Sequence, residues 1–172
     1  MLTNASRRDR GFTLIELMVV IVILGLLVGI VGPNIARAVR FLETFPDVEF
    51  AVTADYPGPI AELGRAMSKA GQSISVLLDI DTGQHRTGII AGDDARKLYR
   101  LIADTPGLVP GGFHVYDGHQ HQKSREERAA AVNTEWEKVV ALRDKIVTDG
   151  LPVPRLVCGG TASFPIYAEK KD

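Results

Sequence analysis

The chain has 172 residues, a formal net charge of −1 and one cysteine, Cys158. A near-neutral balance argues against a nucleic-acid binder that works by phosphate neutralisation, and a lone cysteine excludes an internal disulfide framework. After an apolar N-terminal run about 135 residues remain, enough for one domain.

The first element follows Arg7, Arg8, Asp9 and Arg10. Residues 12–31 are nearly all Val, Ile, Leu, Met or Gly. Twenty helical residues at about 1.5 Å each cover about 30 Å, the thickness of a hydrocarbon core. No small-residue cleavage pattern follows, as it would after a secretory signal; Pro33, Asn34, Arg37 and Arg40 come next. Within this run stands one carboxylate, Glu16, whose insertion into a bilayer costs on the order of 2.5–3.5 kcal/mol and calls for a partner. The arginines before the span favour, weakly, an N-terminus on the inside.

Beyond Arg40 the character changes. Pro46 ends the helical stretch, and strands and helices then alternate. Strands are predicted over 50–54, 75–80, 112–116 and 155–158, and helices over 59–70, 93–103 and 124–148. The helix over 59–70 opens at a proline and stops at Gly71. The long helix starts at Ser124, with Glu127 three residues on as a capping box; Ala131, Val132, Val139, Val140, Leu142 and Ile146 form its apolar face. Alternation at this spacing predicts βαβ units and a parallel sheet.

In parallel α/β folds the C-terminal ends of the strands carry the chemistry. Here those ends read DIDTGQHRTG over 79–88, HVYDGH over 114–119 and GGT over 159–161. Arg86 could pair with Asp79 or Asp81; Tyr116 and His114 could be packed strand residues; Gly159-Gly160 could be a simple turn. His114, His119 and His121, with Asp117 nearby, match no strong zinc signature, so no metal site is expected.

Two resemblances attach to these strings. Residues 10–16, Arg-Gly-Phe-Thr-Leu-Ile-Glu, with the apolar run behind them, resemble the processing site of type IV prepilins and type II secretion pseudopilins. That resemblance implies cleavage between Gly11 and Phe12 by a prepilin peptidase, methylation of the Phe12 amine, and a Glu16 carboxylate paired with that amine on a neighbouring pilin-like subunit during assembly. It implies a single-pass protein of the inner membrane, N-terminus inside and C-terminal part outside. From about residue 45 the strand-end strings, with the later GGT and FP, resemble the pyridoxal-phosphate barrel of D-threonine aldolases and alanine racemases. By that resemblance Arg86 would sit near the cofactor's phenolic oxygen or the substrate carboxylate, Tyr116 and His119 would line the cofactor face, and Gly159, Gly160 and Thr161 would meet the phosphate.

The same resemblance implies a lysine that forms a Schiff base at the end of the first barrel strand. No lysine precedes Lys69, and Lys69, Lys97, Lys138, Lys145, Lys170 and Lys171 read as helix or tail residues. The expected organisation is therefore α/β: a leader over 1–11, a transmembrane pilin-like helix over 12–40, and over 45–172 a partial, about four-stranded, parallel βα barrel. Such an arc leaves strand edges unpaired and its inner face open. The reading favoured is a membrane-anchored prepilin-like protein with a non-catalytic barrel fragment. The alternatives are a pyridoxal-phosphate lyase completed by a second chain, and a chimera without joint function.

Overall fold

The computed structural model describes residues 15, 18, 19 and 34–170. The leader, most of the apolar run, Gly11, Phe12, Glu16 and Pro33 lie outside the described residues. Among those described, no helix is long and apolar enough to cross a membrane. Ile15, Met18 and Val19 are helical and exposed, at the i, i+3, i+4 spacing of one helix face.

Residues 34–44 form α1, which runs to the break at Phe45-Pro46. Then follow β1 (Ala51–Ala54), α2 (Pro57–Lys69), β2 (Ile74–Asp81), β3 (Ile89–Ile90), α3 (Asp93–Asp104), β4 (Leu108–Val115), α4 (Arg125–Thr148), β5 (Leu156–Cys158) and α5 (Phe164–Tyr167). The strands are parallel in the order β1-β2-β4-β5. β3 pairs with β2 beyond the end of β1, on the edge opposite β4, joining Ile80 to Ile89. All seven predicted elements of the domain are present. The two short ones, β3 and α5, carry no periodicity long enough to read. α2 starts two residues earlier than predicted, at Pro57, where a missing N–H is harmless in a first turn. α4 begins as expected, with the Ser124 hydroxyl accepting the Glu127 N–H at 3.0 Å.

The packing is one-sided. Ile74, Val76, Leu78 and Ile80 of β2 join Phe113 and Val115 of β4 against Ile60, Leu63 and Met67 of α2, Ala95, Leu98, Tyr99 and Ile102 of α3, and Val139, Leu142 and Ile146 of α4. The intervening side chains face the other way, since strand side chains alternate. That concave face carries Thr53, Ser75, Leu77, Asp79, Asp81, His114 and Val157. Leu77 is buried but lies outside the helix-side core, and Val157 is 46% exposed. The expected parallel α/β arc forms, and its helices pack on one face.

Two details shape the arc. β4 starts four residues earlier than predicted because a bulge at Gly111 carries it through Pro110: Val76 pairs with Pro110 but Leu77 with Gly112. Gly112 has φ +102, and a Cβ there would lie 1.9 Å from the Arg155 carbonyl oxygen. Arg155, entering β5, bridges the strand starts: its Nε donates to Gly111 O at 3.3 Å, its Nη2 donates to Ser75 Oγ at 3.2 Å, and its Nη1 lies 3.9 Å from Glu49. α1 is part of this domain, with Ile35, Ala38, Val39 and Leu42 packed on the core and Phe41 against Phe45 and Phe50.

Tyr99 ties helix to sheet. Fully buried, its hydroxyl donates to Pro152 O at 2.7 Å and accepts the Gly112 N–H at 3.2 Å. Tyr99→Phe strands both backbone groups and lowers stability by about 1–3 kcal/mol in a urea titration. Burial also pushes this phenol up to about 12 from 10.0. The folded state therefore resists ionisation while the unfolded chain ionises from about pH 10, so stability falls between pH 10 and 12. In Tyr99→Phe that part of the alkaline decline is absent.

Candidate functional site

The loops leaving the C-terminal ends of the four main strands are stitched together by side chains. Asp55, just past β1, accepts the Gly88 N–H at 2.7 Å. Asp81, ending β2, accepts N–H groups from Gly83 at 2.9 Å and His85 at 3.1 Å, and its Oδ2 lies 2.9 Å from His85 Nδ1. Burial pushes this carboxyl up, but the backbone bonds from His85 and Gly83 and the His85 side chain outweigh it and hold it below the usual range. His85 has φ +54, and the local bonds from Asp81 hold it there.

The loop after β2 meets the loop after β4. The Arg86 guanidinium carbon lies 5.4 Å from the Tyr116 ring centroid, a cation–π arrangement. Arg86 forms no ion pair among the described residues: Asp79 and Asp81 are taken by His114 and His85. A Cβ on Gly83 would lie 3.2 Å from His119 Nε2, so these loops touch there too. Tyr116 leans over its own loop, and a Cβ on Gly118 would stand 2.3 Å from its hydroxyl. His119 Nε2 is 3.0 Å from the Gln120 amide nitrogen, and its Nδ1 is buried without a partner. His121 is exposed.

The loop after β5 is held from beneath. Asp117, 2% exposed, accepts the Gly160 N–H at 2.9 Å and the Ser163 hydroxyl through Oδ1. Ser163 Oγ also accepts the Gly160 N–H at 2.8 Å. The Gly159 N–H donates to Val115 O at 2.9 Å. Both glycine N–H groups thus serve the fold. Thr161 alone of the three is exposed, with no hydrogen-bond partner among the described residues. Beside this loop burial, then the Asp117 charge, push the Cys158 thiol up to about 12, and the same two influences raise the Tyr167 phenol.

The structure brings Arg86, Tyr116 and His119 together, with Gly159, Gly160 and Thr161 on the adjoining loop. Reading the strand ends as strings missed two contributors, Asp55 and Ser163, and weighed Asp79 only as a partner of Arg86. Asp55 acts on Gly88 across loops distant in sequence, and Ser163 links its own loop at Gly160 to the distant Asp117. Asp79 pairs with His114 across β2 and β4, which the shared inward parity of Asp79 and Asp81, and of His114 and Tyr116, could have disclosed. One lysine also escaped that reading: Lys123 lies exposed on the loop between β4 and α4, at this same end of the sheet. Among the described residues no group of three or more His, Cys, Asp or Glu could hold a metal ion.

Known proteins match in two blocks. Residues 6–32 match the prokaryotic N-terminal methylation motif, and residues 39–171 match the alanine racemase N-terminal domain. The D-threonine aldolase of Arthrobacter sp is 30% identical over 118 residues, which are 67% of this chain and 31% of that protein. The 3-hydroxy-D-aspartate aldolase of Paracoccus denitrificans (strain Pd 1222) is 29% identical over 132 residues, 76% of this chain and 34% of that protein. The chain thus spans about a third of the length of these relatives. The crystal structure of D-threonine aldolase from Filomicrobium marinum superposes with a TM-score of 0.70 at 29% identity, over 77% of this chain and 36% of that one. An alanine racemase of Clostridium difficile 630 superposes at 0.55 and 14% identity, over 66% and 29% respectively, a likeness of fold.

Asp117 is the carboxylate on which the third loop depends. Asp117→Ala removes the acceptor of the Gly160 and Ser163 donors and lowers stability by about 1.5–3 kcal/mol. Ser163→Ala lowers it by about 0.5–1.5 kcal/mol. Urea midpoints of the two variants check this order.

Proposed function

Because this chain belongs to the alanine racemase N-terminal domain family over residues 39–171 and opens with a prokaryotic N-terminal methylation motif, we propose that it is a membrane-anchored, prepilin-like subunit. Its barrel fragment holds pyridoxal phosphate or a similar phosphorylated ring without turning substrate over. One observation carries the reading. The two matched blocks are separated by six residues, and α1, which begins in that interval and runs into the second block, packs on the α/β core through Ile35, Ala38, Val39 and Leu42. The helix that follows the apolar run is thereby an integral part of the head, as a stalk should be.

On this reading a prepilin peptidase cuts between Gly11 and Phe12, the Phe12 amine is methylated, and Glu16 pairs with that amine on a neighbouring subunit of a type IV pilus or type II secretion assembly. The protein crosses the inner membrane once, N-terminus inside, with the α/β part outside. The domain boundaries then lie at a leader over 1–11, a helix over 12–40 and the barrel fragment from 45. The exposed apolar face of Ile15, Met18 and Val19 supports contact with lipid.

In the head, Arg86 and Tyr116 suit a flat, electron-rich ring: a guanidinium offers a planar donor fork, and the phenol a stacking face. Thr161, with its N–H and hydroxyl free, is the group of the third loop suited to a phosphate. The cofactor, when bound, supplies an electron sink for carbon acids. The strand-borne amine that would make it an enzyme is missing from the described strands. The exposed Lys123 favours one second reading, a pyridoxal-phosphate lyase that uses this loop amine.

Co-expression with a prepilin peptidase is expected to yield a product starting at methylated Phe12, read by mass spectrometry; a chain still starting at Met1 defeats the subunit reading. Glu16→Ala impairs co-assembly with other pilin-like subunits and leaves membrane insertion intact. Pyridoxal phosphate binding, followed by absorbance, weakens about tenfold in Arg86→Ala, the loss of one charge-assisted contact. Borohydride treatment of the loaded protein leaves no pyridoxyl group on lysine; an adduct mapped to Lys123 would instead establish the enzyme reading.

A further inference from the structure

Asp79 and His114 are direct cross-strand neighbours in the β2–β4 register, and both project onto the concave face. His114 Nδ1 lies 2.6 Å from Asp79 Oδ1, and the Asp79 side chain is 13% exposed. A carboxylate can only accept, so Nδ1 carries the proton and Nε2 of the neutral ring carries the lone pair. Nε2 has no hydrogen-bond partner among the described residues, and it is not one of their sealed polar atoms. The His114 side chain is 33% exposed. Its ring lies parallel to that of Tyr116, 7° between planes and 6.5 Å between centroids, and Arg86 covers Tyr116. The other described histidines differ. His85 stands 73% exposed on a loop, His119 turns Nε2 to Gln120, and His121 is exposed on the same loop. Only His114 is borne on a paired strand with one nitrogen locked and the other open to the concave face.

We infer that Asp79 and His114 form a carboxylate–imidazole dyad in which His114 Nε2 is a preset proton acceptor for a ligand lying against Tyr116 and Arg86, and Asp79 is its positioning residue. The transfer is simple: Nε2 takes one proton from an acidic N–H, O–H or activated C–H of the ligand, the electron pair stays on the ligand, and the imidazolium is balanced by the Asp79 carboxylate. Such a carboxylate fixes the tautomer and orientation of the base. The ligand's position rests on the cofactor-site reading above; the dyad itself does not.

Long-range 1H–15N spectra of the detergent-solubilised full chain, labelled with 15N-histidine, test the dyad, with His114→Gln assigning the signal. Wild-type His114 is expected in the Nδ1–H form. Asp79→Ala shifts it toward the Nε2–H form, and Asp79→Glu keeps it Nδ1–H. An Nε2–H signal in the wild type, or one indifferent to Asp79→Ala, overturns the dyad. Pyridoxal phosphate, added as probe, is expected to move the Nε2 resonance of His114 and leave that of His121 in place. If the probe moves Tyr116 signals but not His114, the proton-acceptor role falls. If it moves neither, the cofactor reading falls together with the ligand half of this inference, while the tautomer result still decides the dyad. In parallel, diethyl pyrocarbonate is expected to modify His114 at Nε2 without any ligand, and failure to do so overturns its openness.

Discussion

The structure depends on the alternation of β2. Ile74, Val76, Leu78 and Ile80 lie between the flanking strands and the helices, and burying them there sends Ser75, Leu77, Asp79 and Asp81 to the opposite face. A slip of one residue would exchange the two sets and place carboxylates in the apolar core. The register therefore holds Asp79 opposite His114, and Asp81 at the strand end where it organises the following loop. Each full burial of an aliphatic side chain is worth about 1.5–3 kcal/mol, so the parity of one strand is secured by several such terms at once.

That one-sided burial also explains the character of the site. A closed barrel fills its interior from all sides, whereas this arc presents its concave face to the surroundings and compensates with polar ties. Arg155 spans the strand starts, the Asp79–His114 pair joins β2 and β4 near their C-terminal ends, and Asp55, Asp81 and Asp117 bind the loops beyond. Carboxylates that accept N–H groups within one loop or between two are strong, directional links. They give the strand-end loops a defined shape without apolar filling.

At the other boundary, α1 makes the change of sequence character a structural joint. Its apolar side continues the helix-side core, while Pro46 turns the chain into β1. The racemase-type domain match begins within this packed helix, which starts two residues after the prepilin-type motif match ends.

Periodicity and turn chemistry in the amino-acid sequence determined the seven main elements, the parallel sheet and the strand ends where Arg86, Tyr116 and Thr161 stand, because alternation, caps and breakers act over a few neighbouring residues. Two family-specific strings were likewise local and legible. Only the tertiary structure decided that Gly159 and Gly160 give their N–H groups to Val115, Asp117 and Ser163, that Arg86 lies on Tyr116 instead of pairing with an aspartate, and that Asp79 holds His114. Those partners stand up to 44 positions apart, Gly159 from Val115, and no local rule selects among the carboxylates within reach; strand register and the bulge at Gly111 do.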